Sequence, residues 1–254
     1  MSTTSATASL IDLAAQGRLP LHQYMDRATI DWIRENRPDL SSVPSITLRS
    51  ASKELLRQAA LPARWLAEPH VYESIHGVRH SMRVTTLATL LAEEQGLDDE
   101  DTATAVVAAA VHDWQRLHDK DDRGHGARAA LWLAANANTV WGHFGLTAVP
   151  SRIVRAATAV RLHDVPYDAF SADDRTDHQR TERICDVVKA ADALDRYRLP
   201  KLTWWPDARH VRVPAFERFK ALAFDLVVIS ETAHLAGASG TESVRYALAE
   251  TGLV

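Results

Sequence analysis

The most informative segment of the sequence is residues 98–113, Asp-Asp-Glu-Asp-Thr-Ala-Thr-Ala-Val-Val-Ala-Ala-Ala-Val-His-Asp. Asp98 is typical of a helix start, because an aspartate side chain accepts hydrogen bonds from the free N–H groups of a first turn. The run 105–111 is continuously apolar, which predicts a helix buried on nearly all sides. His112 and Asp113 then close this helix with two polar groups.

A buried imidazole and carboxylate at a helix end are costly unless they are paired. The negative end of the helix dipole also disfavours the charge of Asp113. A cation at this point offsets both penalties, and His and Asp are good ligands for transition-metal ions. The pair His112-Asp113 therefore predicts a metal site.

Composition is that of an ordinary globular protein, with 254 residues, 46% hydrophobic and 24% charged residues and a net charge of -4. The charge and the scattered basic residues argue against stable nucleic-acid binding. Cys185 is the single cysteine, which excludes an internal disulfide framework and fits a reducing compartment. The N-terminus lacks the basic and apolar regions of a signal peptide, and no membrane segment is expected, so a cytoplasmic location is predicted.

Helical periodicity covers most of the chain and strand-like alternation is nearly absent, which predicts an all-α fold. The segment 37–50 contains two prolines and several serines and is predicted to be a linker. Residues 1–45 are then a helical appendage, and residues 46–254 form the main domain. Helices are predicted over 8–16, 22–36, 51–67, 78–96, 99–112, 125–138, 151–163, 181–198, 214–236 and 241–251.

Several other histidines and acids lie at or near predicted helix ends. Taken singly, each is explained by a cap or a polar contact. His118 competes with His125, but lies in a charge-rich segment expected to be solvated. Asp192 and Asp195 both lie on the helix predicted over 181–198. Asp195 lies nearer its apolar face, but the helical pattern does not decide which of the two is the candidate ligand. The remaining candidates are His76, His80 and His163.

The ordered set, His, then His-Asp, then two His, then Asp, resembles the HD-domain superfamily, best known as metal-dependent phosphohydrolases. Three strings carry the resemblance: His-Gly-x-x-His-x-x-Arg-Val at 76–84, the apolar helix ending in His-Asp at 112–113, and Ala-Asp-x-Leu-Asp-Arg at 191–196. The resemblance covers roughly residues 74–200. It implies an HD-domain helical bundle.

The resemblance further implies a ligand set and roles for individual residues. One or two divalent ions (Mn, Fe, Co, Ni or Zn) are expected, since imidazole and carboxylate donors suit these metals. The implied metal ligands are His80, His112, Asp113 and Asp192, with His125 and His163 completing a second site. The expected catalytic residues are Asp113, Arg116, His125 and His163, and the expected substrate-binding residues are His76, Arg79, Arg116, Arg128 and Trp204.

Two of these assignments have alternatives in the sequence. Arg116 either neutralises a bound phosphate or pairs with the acids at 119–122, and Gln115 stands where family members commonly carry a small Gly. Trp204 either stacks on a base or sugar or packs within its loop.

The function implied by the resemblance is release of phosphate from a small phosphorylated metabolite or nucleotide by attack of metal-bound hydroxide. The partner is then a small phosphorylated substrate, with no membrane and with a homodimer as the assembly considered. Monoesters, diesters, nucleoside triphosphates and pyrophosphates all stay open as substrates. Two alternatives are a mixed-valent di-iron oxygenase of the same fold and a non-catalytic regulatory domain that binds a ligand.

Overall fold

The computed structural model describes residues 8–40 and 47–254, and every regular element in these ranges is helical. The absence of strands from this part of the chain confirms the all-α prediction. Residues 1–7 of the predicted appendage and residues 41–46 of the predicted linker lie outside the described residues. The helices are α1 (Leu10–Ala15), α2 (Arg27–Glu35), α3 (Ser50–Arg57), α4 (Val78–Glu94), α5 (Asp99–Val111), α6 (His125–Ala135), α7 (Ala137–His143), α8 (Pro150–Leu162), α9 (Ala172–Leu194), α10 (Phe216–Leu235) and α11 (Gly240–Glu250).

Helix α5 lies at the centre of the protein. The Asp98 side chain accepts a hydrogen bond from the backbone N–H of Asp101, as predicted for the helix start. All residues from Thr102 to Val111 are buried, and α5 packs against α4, α8 and α9. The end of this helix therefore delivers His112 into the interior rather than to the surface.

Four further helix ends meet the end of α5. His80 lies in the first turn of α4, and His125 is the first residue of α6. His163 directly follows α8, and Asp192 lies in the last turn of α9. The bundle thus gathers five separate segments around one point.

Several predicted helices have different limits in the structure, and two of them differ most. The helix predicted over 51–67 ends at Arg57, and Pro62 precedes a separate 3₁₀ turn, because proline cannot supply a backbone N–H to a continuing helix. The helix predicted over 181–198 instead begins at Ala172 and bends at Thr181. Its first part is polar and therefore shows no apolar period.

The described part of the N-terminal segment shares the core of the main domain. Ile30 and Ile33 of α2 belong to the central hydrophobic cluster. The backbone N–H of Gln23 donates to the carboxylate of Asp119 over 2.7 Å. Residues 8–40 thus contact the loop that follows the His-Asp pair. None of the helices in the described residues is long and apolar enough to cross a membrane.

Gly126 permits a close approach between α6 and α8. A Cβ at this position would lie 2.8 Å from the carbonyl oxygen of Val160 and 3.2 Å from Cε1 of His163. These separations are too short for a side chain. The absence of one therefore lets His125 and His163 face each other across the two helices.

We expect Gly126→Ala to lower the free energy of unfolding by about 1–3 kcal/mol, because the added methyl group forces α6 away from α8. The matched control is Gly142→Ala in α7, where a Cβ meets no atom within 4 Å. That change should be neutral or stabilising by up to about 1 kcal/mol. Urea unfolding of both variants measures the difference, and equal stability of the two would contradict the packing described.

Candidate metal centre

The first half of the site joins α4, α5 and α9. Nε2 of His80 lies 3.0 Å from Nε2 of His112, and both rings are fully buried. Oδ2 of Asp113 lies 3.4 Å from Nε2 of His80. Oδ1 of Asp192 approaches the same pair, at 3.4 Å from His80 and 3.8 Å from His112. The structure thus brings these four predicted ligands together.

The second half of the site uses the other oxygen of Asp113. Oδ1 lies 2.9 Å from Nε2 of His125 and 3.5 Å from Nε2 of His163. The two imidazole nitrogens are 3.0 Å apart. Two buried triads result, each with its donor atoms within 4.8 Å of one another: the first triad is His80, His112 and Asp113, and the second triad is Asp113, His125 and His163. One carboxylate is therefore shared between two candidate sites.

The outer nitrogens of the rings fix their tautomers. Nδ1 of His112 contacts the carbonyl oxygen of Ala109 at 2.7 Å, and Nδ1 of His163 contacts that of Val160 at 2.7 Å. A carbonyl oxygen only accepts, so each Nδ1 must carry the proton. Each Nε2 of a neutral ring is then a lone pair directed into the site. The same argument assigns His125, whose Nδ1 lies 2.8 Å from the carbonyl oxygen of Asp122.

This donor set fits a transition-metal ion. Two lone pairs held 3.0 Å apart repel each other unless a positive charge lies between them. Burial would raise the pKa of Asp113, but Arg116 and the neighbouring histidines hold it well below its usual range. Burial opposes a charged His112, yet Asp113 and Asp192 raise its pKa. Imidazole nitrogens beside ionised carboxylates are ligands of Mn, Fe, Co, Ni and Zn. These clusters could therefore hold one or two metal ions.

Asp192 and Asp195 contact opposite nitrogens of the same imidazole. Asp192 faces Nε2 of His80, whereas Oδ2 of Asp195 lies 2.8 Å from Nδ1. Asp195 is fully buried, which explains why it lies nearer the apolar face of the helix. Arg83 donates to both oxygens of Asp195, over 2.6 and 3.0 Å. The second aspartate thus orients a ligand from behind.

The Asp195 carboxylate begins a buried chain of charges that we call the ion ladder. Arg83 also donates to Glu231 over 2.8 Å, and Glu231 accepts a further bond from Arg79 over 2.9 Å. Arg79 continues to Glu73. Buried ion pairs are weak sources of stability, but they specify geometry. The ladder connects His80 with α10 across the core.

A cavity of about 1240 Å³ opens onto the second triad and onto Asp192, whereas His80 and His112 lie behind its wall. Asp113, His125, His163 and Asp192 lie on its wall, with the side chain of Asp192 23% exposed. Three of the predicted substrate-binding residues also line it: His76, Arg116 and Trp204.

The other two predicted substrate-binding cations point elsewhere. Arg79 is a member of the ion ladder and is almost fully buried behind His80. Arg128 donates to Asp122 over 2.6 Å and does not belong to the cavity wall. Both arginines lie near predicted ligands in sequence, but their helices, α4 and α6, direct the side chains away from the cavity.

The segment 118–122, expected to be solvated, contains two buried acids. Asp119 accepts from Ser74 over 2.6 Å and lies 3.0 Å from Nδ1 of His76. Its partners come from distant parts of the chain, so local sequence gives no sign of its burial. His118 belongs to neither triad, which leaves the second triad to His125.

Lys189 supports the second triad and was missed by the sequence analysis. Its ammonium group donates to the carbonyl oxygens of Leu162, His163 and Val165 over 2.9, 3.0 and 2.6 Å. These bonds cap the end of α8 and hold the backbone of His163. Burial lowers the pKa of Lys189 to about 8. Its position within the otherwise apolar run 187–191 was the sequence feature that indicated a buried lysine.

Comparisons of the chain with protein-family models, with curated proteins and with solved structures find no match. The resemblance to the HD-domain superfamily therefore rests on the residues of this chain and on their arrangement.

We expect Asp195→Asn to weaken metal binding by about 10- to 100-fold, because the amide cannot hold both His80 and Arg83 as the carboxylate does. The matched control is Asp186→Asn, a buried acid of α9 that contacts His178 and Tyr167 instead of the triads. Competition with a chromophoric chelator measures the affinities. Unchanged affinity in a folded Asp195→Asn variant would contradict the orienting role.

Proposed function

We propose that this protein is a metal-dependent phosphohydrolase of the HD-domain type, acting on a small phosphorylated metabolite or nucleotide. The proposal depends on the sharing of Asp113 between two histidine pairs, beside a cavity that Asp113 and Arg116 both line. The two triads and Asp192 would hold the metal. When bound, a divalent ion polarises a phosphoryl oxygen and lowers the pKa of a bound water towards about 7.

Arg116 is the cation best placed to meet a phosphoryl group. Its Nη1 lies 3.4 Å from Oδ1 of Asp113 and 3.2 Å from Nε2 of His125. Its Nη2 donates to the carbonyl oxygen of Lys120 over 2.9 Å, which fixes the plane of the guanidinium. A guanidinium held in this way neutralises charge that develops on phosphate oxygens.

The size of the cavity supports a substrate larger than phosphate itself. Binding pockets for drug-sized molecules span about 300–1,000 Å³, and this cavity, at about 1240 Å³, is larger than that range. Trp204 lies on its wall with the Lys201 ammonium 4.7 Å from the centre of its ring. An aromatic ring and a cation together suit the organic part of a phosphorylated metabolite, including a nucleotide base.

We expect Asp113→Ala to lose both metal retention and turnover, because each triad loses its shared carboxylate. Arg116→Met should retain the metal and lower phosphate release by about 10²- to 10³-fold. Metal content and initial rates of the two variants test this division of roles. Full activity of Asp113→Ala would end the proposal.

The direct test combines elemental analysis of protein purified without chelators with a phosphate-release screen over monoesters, diesters and nucleotides. Bound transition metal together with phosphate release supports the proposal. Bound metal without release from any substrate refutes hydrolysis. If folded protein with both triads unchanged contains no metal, a non-catalytic ligand-binding role is favoured instead.

A second candidate function is oxidation of a substrate by a mixed-valent iron pair. Four imidazoles and two carboxylates favour it, since this nitrogen-rich set suits iron as well as the hydrolytic metals. Oxygen uptake with a polyol or phosphonate, together with an iron EPR signal, would place oxygenation above hydrolysis.

A further inference from the structure

Arg198 is a buried cation on the cavity wall that the metal centre does not use. Arg198 is 2% exposed and ends the 3₁₀ turn that follows α9. Nε donates to the carbonyl oxygen of Ile75 over 2.7 Å, and Nη1 donates to that of Asp195 over 3.1 Å. Nη2 makes no hydrogen bond with any described residue, although the residue lines the cavity.

Nη2 is not one of the buried polar atoms left without a partner in the described residues, so it is open to the cavity, where it can donate to a ligand. The Asp195 carboxylate does not fill this role. Its Oδ2 lies 3.5 Å from Nη1 of Arg198, and it already accepts hydrogen bonds from Arg83 and faces Nδ1 of His80. The remaining N–H of Arg198 is thus left for a molecule in the cavity.

His76 shows that two guanidinium groups lie near each other on the cavity wall. Burial lowers the pKa of its imidazole to about 3, and the charges of Arg116 and Arg198 act in the same direction, so both groups lie close to this ring. Nδ1–H of His76 donates to Asp119 over 3.0 Å, which leaves a lone pair on Nε2. The oxygens of a phosphate dianion also only accept hydrogen bonds, so the two arginines and not the imidazole would hold such an anion.

We propose that Arg198 and Arg116 form an oxyanion subsite beside the metal centre, which takes the dianionic phosphoryl group of a phosphomonoester. The assignment to a substrate rests on the proposed function. The subsite itself rests on two buried guanidiniums that line the same cavity.

The charge of the subsite selects the class of ester. Two guanidinium groups favour the doubly charged phosphate of a monoester over a diester, which carries a single charge. Guanidinium is also the group that binds phosphate oxygens through paired N–H donors. Lys189 lines the same cavity but spends its donors on three carbonyl oxygens, so it offers no such contact.

The test measures binding of inorganic phosphate to the metal-free full-length protein by calorimetry in the presence of a chelator. We expect measurable binding, and we expect Arg198→Met to weaken it at least about tenfold through the loss of charge-assisted hydrogen bonds. The matched control is Arg196→Met, which removes a cavity cation that donates to the carbonyl oxygen of Trp204. It should leave the affinity for phosphate nearly unchanged.

Arg198→Met also removes bonds that link two loops, so a second measurement uses the wild-type protein. Crystals soaked in tungstate locate a tetrahedral oxyanion by its anomalous scattering. A peak within hydrogen-bond distance of Nη2 of Arg198 supports the subsite. A peak elsewhere in the cavity, or no phosphate binding without metal, overturns it.

Rates on a matched monoester and diester, measured with the metal-loaded protein, separate the two proposals. Preference for the monoester is expected, and preference for the diester overturns the assigned class. If no ester is hydrolysed while phosphate binding still depends on Arg198, the proposed function fails and the subsite stands. If esters are hydrolysed and phosphate binding is independent of Arg198, the subsite fails and the proposed function stands.

Discussion

Four imidazoles present their unprotonated nitrogens to one another inside a buried bundle, and their outer nitrogens are already committed. The rings of His112, His125 and His163 each bond the carbonyl oxygen three residues earlier in the chain. At the ends of α5 and α8 these are carbonyl groups that a helix leaves unpaired. Backbone geometry therefore sets both the direction of each lone pair and its availability to a cation.

Around this centre, the protein accepts buried charge where an apolar core would be more stable. The ion ladder places two arginines and two acids in the interior to hold His80. The buried ammonium group of Lys189 likewise holds the backbone of His163 in place. Several of these buried charges orient candidate ligands, which is the pattern expected of a site that must be rigid before it binds.

Local sequence predicted the central helix, its cap and the two polar residues that follow it, because burial and capping leave local patterns. It placed the other candidate ligands at helix ends, but spacing alone did not choose between Asp192 and Asp195, since both contact His80. The burial and pairing of Arg198 and Asp119 could not be predicted from local sequence. Their partners, Ile75 and His76, lie far away in the chain, and such pairing leaves no periodic trace. Arg79 was predicted to bind substrate because it lies near His80 in sequence, but its side chain belongs to the ion ladder.

The proposed function depends on a metal ion among these facing nitrogens. Anomalous diffraction at metal absorption edges, from crystals of protein purified without chelators, would locate such an ion. We expect a transition-metal peak between the imidazoles of His80 and His112, with a second peak beside His125 and His163 if two ions bind. Crystals in which a bound metal lies away from both pairs, while the pairs keep the same facing geometry, would contradict it.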